Sequence, residues 1–119
     1  MGESSASIEL RKPENIQIES KQQIETNDTR KFSPIIISNV ETMSENFKDF
    51  IVEIREKGNN SSVVCKTASG IKKGFKWKMV PLVLEHTKTG LEYEIRVCVQ
   101  DLNGNKSSYT KWISKKAGE

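Results

Sequence analysis

Histidine occurs once in this chain, cysteine twice, and aromatic side chains make up only 7% of it. Each shortage excludes something. The single histidine, His86, would need carboxylates and thiols from distant segments to complete a metal site, and its neighbours "EHT" lie beside a turn, so a solvated imidazole is expected. Cys65 and Cys98 allow one intrachain disulfide at most and fit no zinc or redox spacing, so they read as free thiols acting as small hydrophobes. No run of about 18 apolar residues occurs, so no segment is expected to span or insert into a bilayer. The start "MGESSASIELRK" lacks a basic stretch followed by an apolar one and does not read as a secretory signal. That leaves a protein retained where it is made, or a piece of something larger.

Charge of one sign is missing too. Nineteen Lys and Arg against 16 Asp and Glu leave +3, which favours solubility without implying nucleic acid. Catalytic patterns are equally scarce: there is no GxSxG and no Cys/His pairing. Gly70 and Gly74 bracket "IKK" without a Walker pattern, and "ETMSENFKD" lacks the order of a calcium loop. No enzyme activity, cofactor or metal is expected.

At 119 residues the chain suits one domain, and 34% hydrophobic against 29% charged residues suit a thin core between two sheets. Residues 1–12 are polar and read as an extended N-terminal arm, with "NIQIES" following as a short edge strand. From Phe32 apolar runs alternate with turn signals, as in an all-β domain. "SPIIISNV" is β-branched, and "NFKDFIVEIREKG" sets Phe50, Val52 and Ile54 against Ile51, Glu53 and Arg55. "SVVCKT" is a further strand and "ASGIKKG" a loop. "FKWKMVPLVL" places Phe75, Trp77 and Met79 inward and Lys76 and Lys78 outward, with a break near Pro81. The clearest period of two lies in "LEYEIRVCVQ", with Tyr93, Ile95, Val97 and Val99 on one face; "DLNGN" then turns the chain into "SSYTKWI". Residues 13–114 form the expected domain, and 115–119 a polar tail. Seven strands without an amphipathic helix point to an antiparallel Greek-key β-sandwich.

The segment "GLEYEIRVCVQDLNGNKS" resembles the penultimate strand, loop and start of the last strand of a fibronectin type III domain. "ENFKDFIVEIREKG" is similar to that family's third strand and "PENIQI" to its first. Two positions depart from the family's pattern: Val40 stands where tryptophan is usual and Thr87 where leucine is usual, with Trp77 the candidate to supply the absent aromatic volume. The resemblance implies that Tyr93 makes a tyrosine corner, ring in the core and hydroxyl on nearby backbone; an ordinary half-buried strand tyrosine is the alternative.

The one patch that suggests binding is "KKGFKWK". Lys72, Lys73, Lys76 and Lys78 near Trp77 would attract an anionic glycan, phosphate or acidic protein surface, or else guard an exposed sheet against pairing. Asn103 and Asn105 are candidate loop contacts. Trp77, Trp112 and Tyr109 are candidates for stacking on polysaccharide. Sequons at Asn27, Asn59, Asn60 and Asn105 carry little weight in so Asn- and Ser-rich a chain. The resemblance implies a structural or adhesive binding module whose partner is a protein or the lattice of its own assembly. A phage virion component, in capsid decoration or the tail and baseplate, is the leading setting, placed at the virion surface and assembling through its arm. The alternatives are a spacer or binding domain of a larger bacterial or eukaryotic surface protein, and an accessory domain of a carbohydrate-active enzyme.

Overall fold

The computed structural model describes residues 10–22, the backbone of 24–25, and residues 31–119. Apart from a short 3-10 turn, Asn60–Ser62, every regular element among them is a strand. In chain order these are β1 (Gln17–Ser20), β2 (Ile24–Glu25), β3 (Lys31–Phe32), β4 (Ile35–Ser38), β5 (Glu41–Thr42) and β6 (Phe47–Glu56). There follow β7 (Val64–Ala68), β8 (Gly70–Lys73), β9 (Lys76–Met79), β10 (Leu82–Leu84), β11 (Glu92–Asp101) and β12 (Ile113–Lys116). The strand pairings are all antiparallel, so the molecule is all-β, as its alternation implied.

One sheet runs β1-β4-β10, a four-stranded sheet runs β12-β11-β6-β7, another runs β5-β9-β8, and β2 pairs with β3. The two three-stranded sheets follow one register. Ile37 faces Leu82 and Glu41 faces Lys78, so equal lengths of chain separate the two pairs on both strands. The interruption between them is local: Asn39 adopts a left-handed φ of 60°, and on the neighbouring strand Pro81 has no N–H for the ladder. The Met79 amide still donates to the Val40 carbonyl at 2.7 Å across the bend.

Inward positions from two sheets meet in one cluster. Ile35 and Ile37 of β4 and Leu84 of β10 pack with Phe50, Val52 and Ile54 of β6 and with Tyr93, Ile95, Val97 and Val99 of β11. Two antiparallel sheets sharing one core are consistent with a β-sandwich. β6 and β11 are paired along their length, with a register shift only at Gln100/Asp101. At the two positions where the sequence departs from the fibronectin type III pattern, Val40 is 0% exposed and Thr87 5%. The Thr87 hydroxyl donates to the Ser33 carbonyl at 2.5 Å, so its polar atom is satisfied inside. Trp77 is half-buried against the core and stacked on Phe47 at 4.7 Å, with Phe47 tilted against Phe50 at 4.9 Å.

Several local expectations change. "ASGIKKG" is not a loop: the chain leaves the four-stranded sheet after Ala68 and forms β8 against β9. Phe75, expected inward, is 89% exposed, because it occupies the hairpin turn and not the strand. "SSYTKWI" becomes a regular strand only from Ile113. Before that, Val99 and Val97 donate their N–H groups to the hydroxyls of Ser107 (2.9 Å) and Thr110 (3.1 Å), side chains that replace ladder carbonyls. Within 115–119, β12 continues to Lys116 and Ala117 is 1% exposed. Residues 1–9 of the arm and the Asn27 sequon lie outside the described residues. Of the rest of the arm, Leu10 packs against the core and the Arg11 amide donates to Ser44 Oγ at 2.8 Å.

Candidate docking site

In the β8–β9 hairpin Lys73 faces Lys76 across a turn formed by Gly74 and Phe75. Gly74 has a φ of 62° while Phe75 stays out of the left-handed region, the pattern of a II′ turn with glycine first. Cross-strand partners share a face, so Lys73, Lys76 and Lys78 lie on one side of the ribbon with Ile71, and Lys72 lies on the other with Trp77. The four lysines therefore share one hairpin without forming one flat patch. Lys76 Nζ sits 3.0 Å from Glu41 Oε1, which also accepts from Asn15 Nδ2 at 2.7 Å. The bond from Lys76, and after it the bond from Asn15, hold the Glu41 carboxyl below its ordinary range. Lys72 holds its ammonium 5.8 Å over the Trp77 ring. Among the described residues Lys72, Lys73 and Lys78 make no ion pair.

Beside this hairpin lies a groove of about 630 Å³ whose apolar lining the sequence pattern had not indicated. Phe47 and Trp77 line it with Met43, Phe75 and Leu102, and Arg11, Lys72 and Glu45 supply its charges. Met43 comes from the β5–β6 connection, Phe75 from the hairpin turn and Leu102 from the loop after β11; their exposures are 50%, 89% and 64%. Isolated exposed apolar residues are ordinary, whereas three large ones sharing a groove make it a candidate contact surface. One signal was available in the sequence. "KGFK" puts glycine first in a two-residue turn, which moves the following phenylalanine out of the strand alternation.

The loop carrying Leu102 is held from beneath. Asp101 Oδ1 accepts from the backbone amides of Asn103 and Asn105, both at 2.9 Å, and Oδ2 from Asn105 Nδ2 at 3.2 Å. Burial pushes the Asp101 carboxyl up, but these bonds together outweigh it and keep it below the ordinary range. The Leu102 amide donates to the Asn46 carbonyl at 3.0 Å, tying this loop to the β5–β6 connection. Of the two asparagines expected as contacts, Asn103 binds Asp101 through its backbone amide alone and Asn105 through amide and side chain, and Leu102, between Asp101 and Asn103, is exposed beside them. At the other end of β11 the Tyr93 ring is 8% exposed, and its hydroxyl accepts from the Lys88 amide at 2.8 Å, the bond the resemblance implies. Ile95 and Val97 beside it are 0% exposed.

Trp112 and Tyr109 lie on the outer face of the four-stranded sheet. Arg55 and Arg96 pack over the Trp112 ring at 3.8 and 4.4 Å, and Arg96 over Tyr109 at 4.1 Å. Arg55 also pairs with Glu94 at 2.9 Å and Arg96 with Glu53 at 2.7 Å, while the Tyr109 hydroxyl donates to Glu53 at 3.0 Å. Trp112 and Tyr109 are therefore already covered by guanidinium groups. Cys65 and Cys98 are free. They pair with β6 from opposite sides, at Glu53 and Ile51, which separates them by roughly two strand spacings, about 9–10 Å, beyond disulfide reach. His86 is exposed and meets the Phe32 ring edge-on at 5.6 Å. Among the described residues no group of three or more His, Cys, Asp or Glu converges as metal ligands would. No family model matches the chain, and no curated protein matches it in sequence.

Proposed function

We propose that this chain is a non-enzymatic binding module, a fibronectin type III-like Greek-key sandwich that works as a structural or adhesive component at a virion or cell surface. Counting the interrupted strands once supports the fold. Residues 14–20, 35–42 and 76–84 pair side by side in one register, and 47–56, 64–73, 92–101 and 113–116 supply four more; with 64–73 taken as one strand that changes sheets and the short β2–β3 pair set aside, the count is compatible with the seven strands of that family. The Tyr93 hydroxyl on the Lys88 amide supports it independently.

One observation carries the functional reading: Met43, Phe75 and Leu102, from three separate connections, line one groove, and the loop carrying Leu102 is fixed by hydrogen bonds to Asp101 and Asn46. Apolar groups held exposed on a rigid frame contribute to binding without a large ordering cost. The covered faces of Trp112 and Tyr109 weigh against the polysaccharide alternative. The test compares retention of the chain on intact cells with that of Phe75→Ser/Leu102→Ser. Loss of retention with an unchanged unfolding midpoint is expected. Equal retention of the two proteins would remove the docking end from the proposal.

A further inference from the structure

We infer that the docking end is built to seat on an anionic lipid surface, with the β8–β9 hairpin turn as its leading point. This rests on the binding-module reading above and names the partner for it. From Lys66 to Leu84 the chain carries five lysines and no Asp or Glu. Among the described residues, Lys76 alone of the hairpin lysines is offset by an ion pair, to Glu41. The charge is arranged around an apolar point: Lys73 and Lys76 flank the turn, Lys72 and Trp77 form the next pair, and Phe75 stands at the turn, 89% exposed. Leu102 and Met43 lie along the same groove.

A side chain this exposed, on a two-residue turn, fills no concavity of its own molecule. A protein partner would need a pocket shaped to receive it, whereas the boundary of a bilayer accepts a projecting ring without shape matching. Lysines set just behind the ring can lay their aliphatic stems along the interface and leave the ammonium groups among anionic headgroups. The half-buried Trp77, one residue pair behind the turn, lies where an amphipathic ring is favoured in such an interface. No spanning segment is involved, and among the described residues no helix is long and apolar enough to be one.

The experiment is flotation of the intact chain with vesicles of phosphatidylcholine alone and of phosphatidylcholine mixed equally with phosphatidylserine. The mixed vesicles should retain the chain and the neutral ones release it, with retention falling as salt screens the lysines. Phe75→Ser and the pair Lys72→Glu/Lys73→Glu should each lower retention about tenfold or more, since each basic group near an anionic surface contributes several-fold. Lys88→Glu/Lys115→Glu, the same charge change at the far end of β11, should leave most of it. All these side chains are at least partly solvent-exposed, and unfolding midpoints verify that the variants fold. No retention on mixed vesicles, or equal loss from both lysine pairs, would overturn the inference. If retention on cells needs Phe75 and Leu102 while vesicles retain nothing, the partner is a protein: the lipid assignment fails and the docking end stands. Failure of both assays removes both.

Discussion

Gly70 lies so close to the Phe47 ring that an added Cβ would sit 2.7 Å from two of its carbons. That ring cannot swing away, because it is stacked on Trp77 and tilted against Phe50. Gly70→Ala should therefore destabilise the domain by about 1–3 kcal/mol, the usual range for overpacking a filled core, measurable by urea unfolding; a change within error would mean that the stack is loose. Tyr93→Phe tests a different kind of contact. It keeps the ring and removes only the acceptor for the Lys88 amide, so a loss of about 1 kcal/mol is expected, and a neutral result would reduce Tyr93 to ordinary core packing. Asp101 adds a pH dependence. Its native carboxyl titrates below the ordinary range, so its contribution is complete above about pH 4 and is lost as pH falls through the native value. Between about pH 5 and pH 2 the unfolding midpoint of Asp101→Asn should fall less than that of the parent chain. Parallel curves would show that other carboxylates govern acid unfolding. Tyr93 could be read from the sequence because its role depends on alternation and on neighbouring backbone. The role of Gly70 depends on a ring 23 positions away, which no local pattern encodes.

Strands buried on one face were legible for the same reason. β6 and β11 alternate over long stretches, so the period of two fixes both their existence and their inward residues. β8 was missed because its side chains are mostly exposed and its glycine and lysines read as punctuation; it is a strand only because β9 supplies the partner. The irregular run before β12 was overread, since Ser107 and Thr110 side chains bond where a regular strand would use its backbone. The candidate site shows the same limit: its lysines were visible in the sequence, whereas Met43 and Leu102 join Phe75 only through the tertiary arrangement. β7 raises a further question, because it ends the four-stranded sheet with one edge unpaired. Lys66 faces Val52 across the pair and so points to the inward side of the sheet, yet it is exposed. A charge pointing inward on an edge strand opposes docking of a second edge, and Val64 beside it, 50% exposed, would otherwise favour such docking. Lys66→Val should therefore make the chain self-associate in light scattering at concentrations where the parent chain does not. Unchanged mass at every concentration would show that the edge is protected by something other than this lysine.

The whole molecule is asymmetric from side to side. Along one side β1 and β12 approach each other across the sheets, and the Gly118 amide donates to Ser20 Oγ at 2.6 Å. Along the other side β7 and β10 leave a groove between Val64, Val83, Ile54 and Tyr93. The chain therefore joins its two sheets tightly where it ends and leaves them apart along the groove between β7 and β10. Native hydrogen exchange should follow this division, because amides open at a cost set by how much buried structure opens with them. Amides of β6 and β11, paired on both edges and lined by fully buried Val52, Ile95, Val97 and Val99, should exchange only through global unfolding and share one free energy. Amides of β7 and the β8–β9 hairpin should exchange at lower free energies through local opening that leaves β11 protected. Matching free energies for β7, the hairpin and β11 would overturn this division and make the crossover part of a single cooperative unit. The expected pattern has a functional consequence under the proposed reading: the hairpin that carries Phe75 could adjust to a surface while the loop carrying Leu102, tied to β11 through Asp101, holds its position.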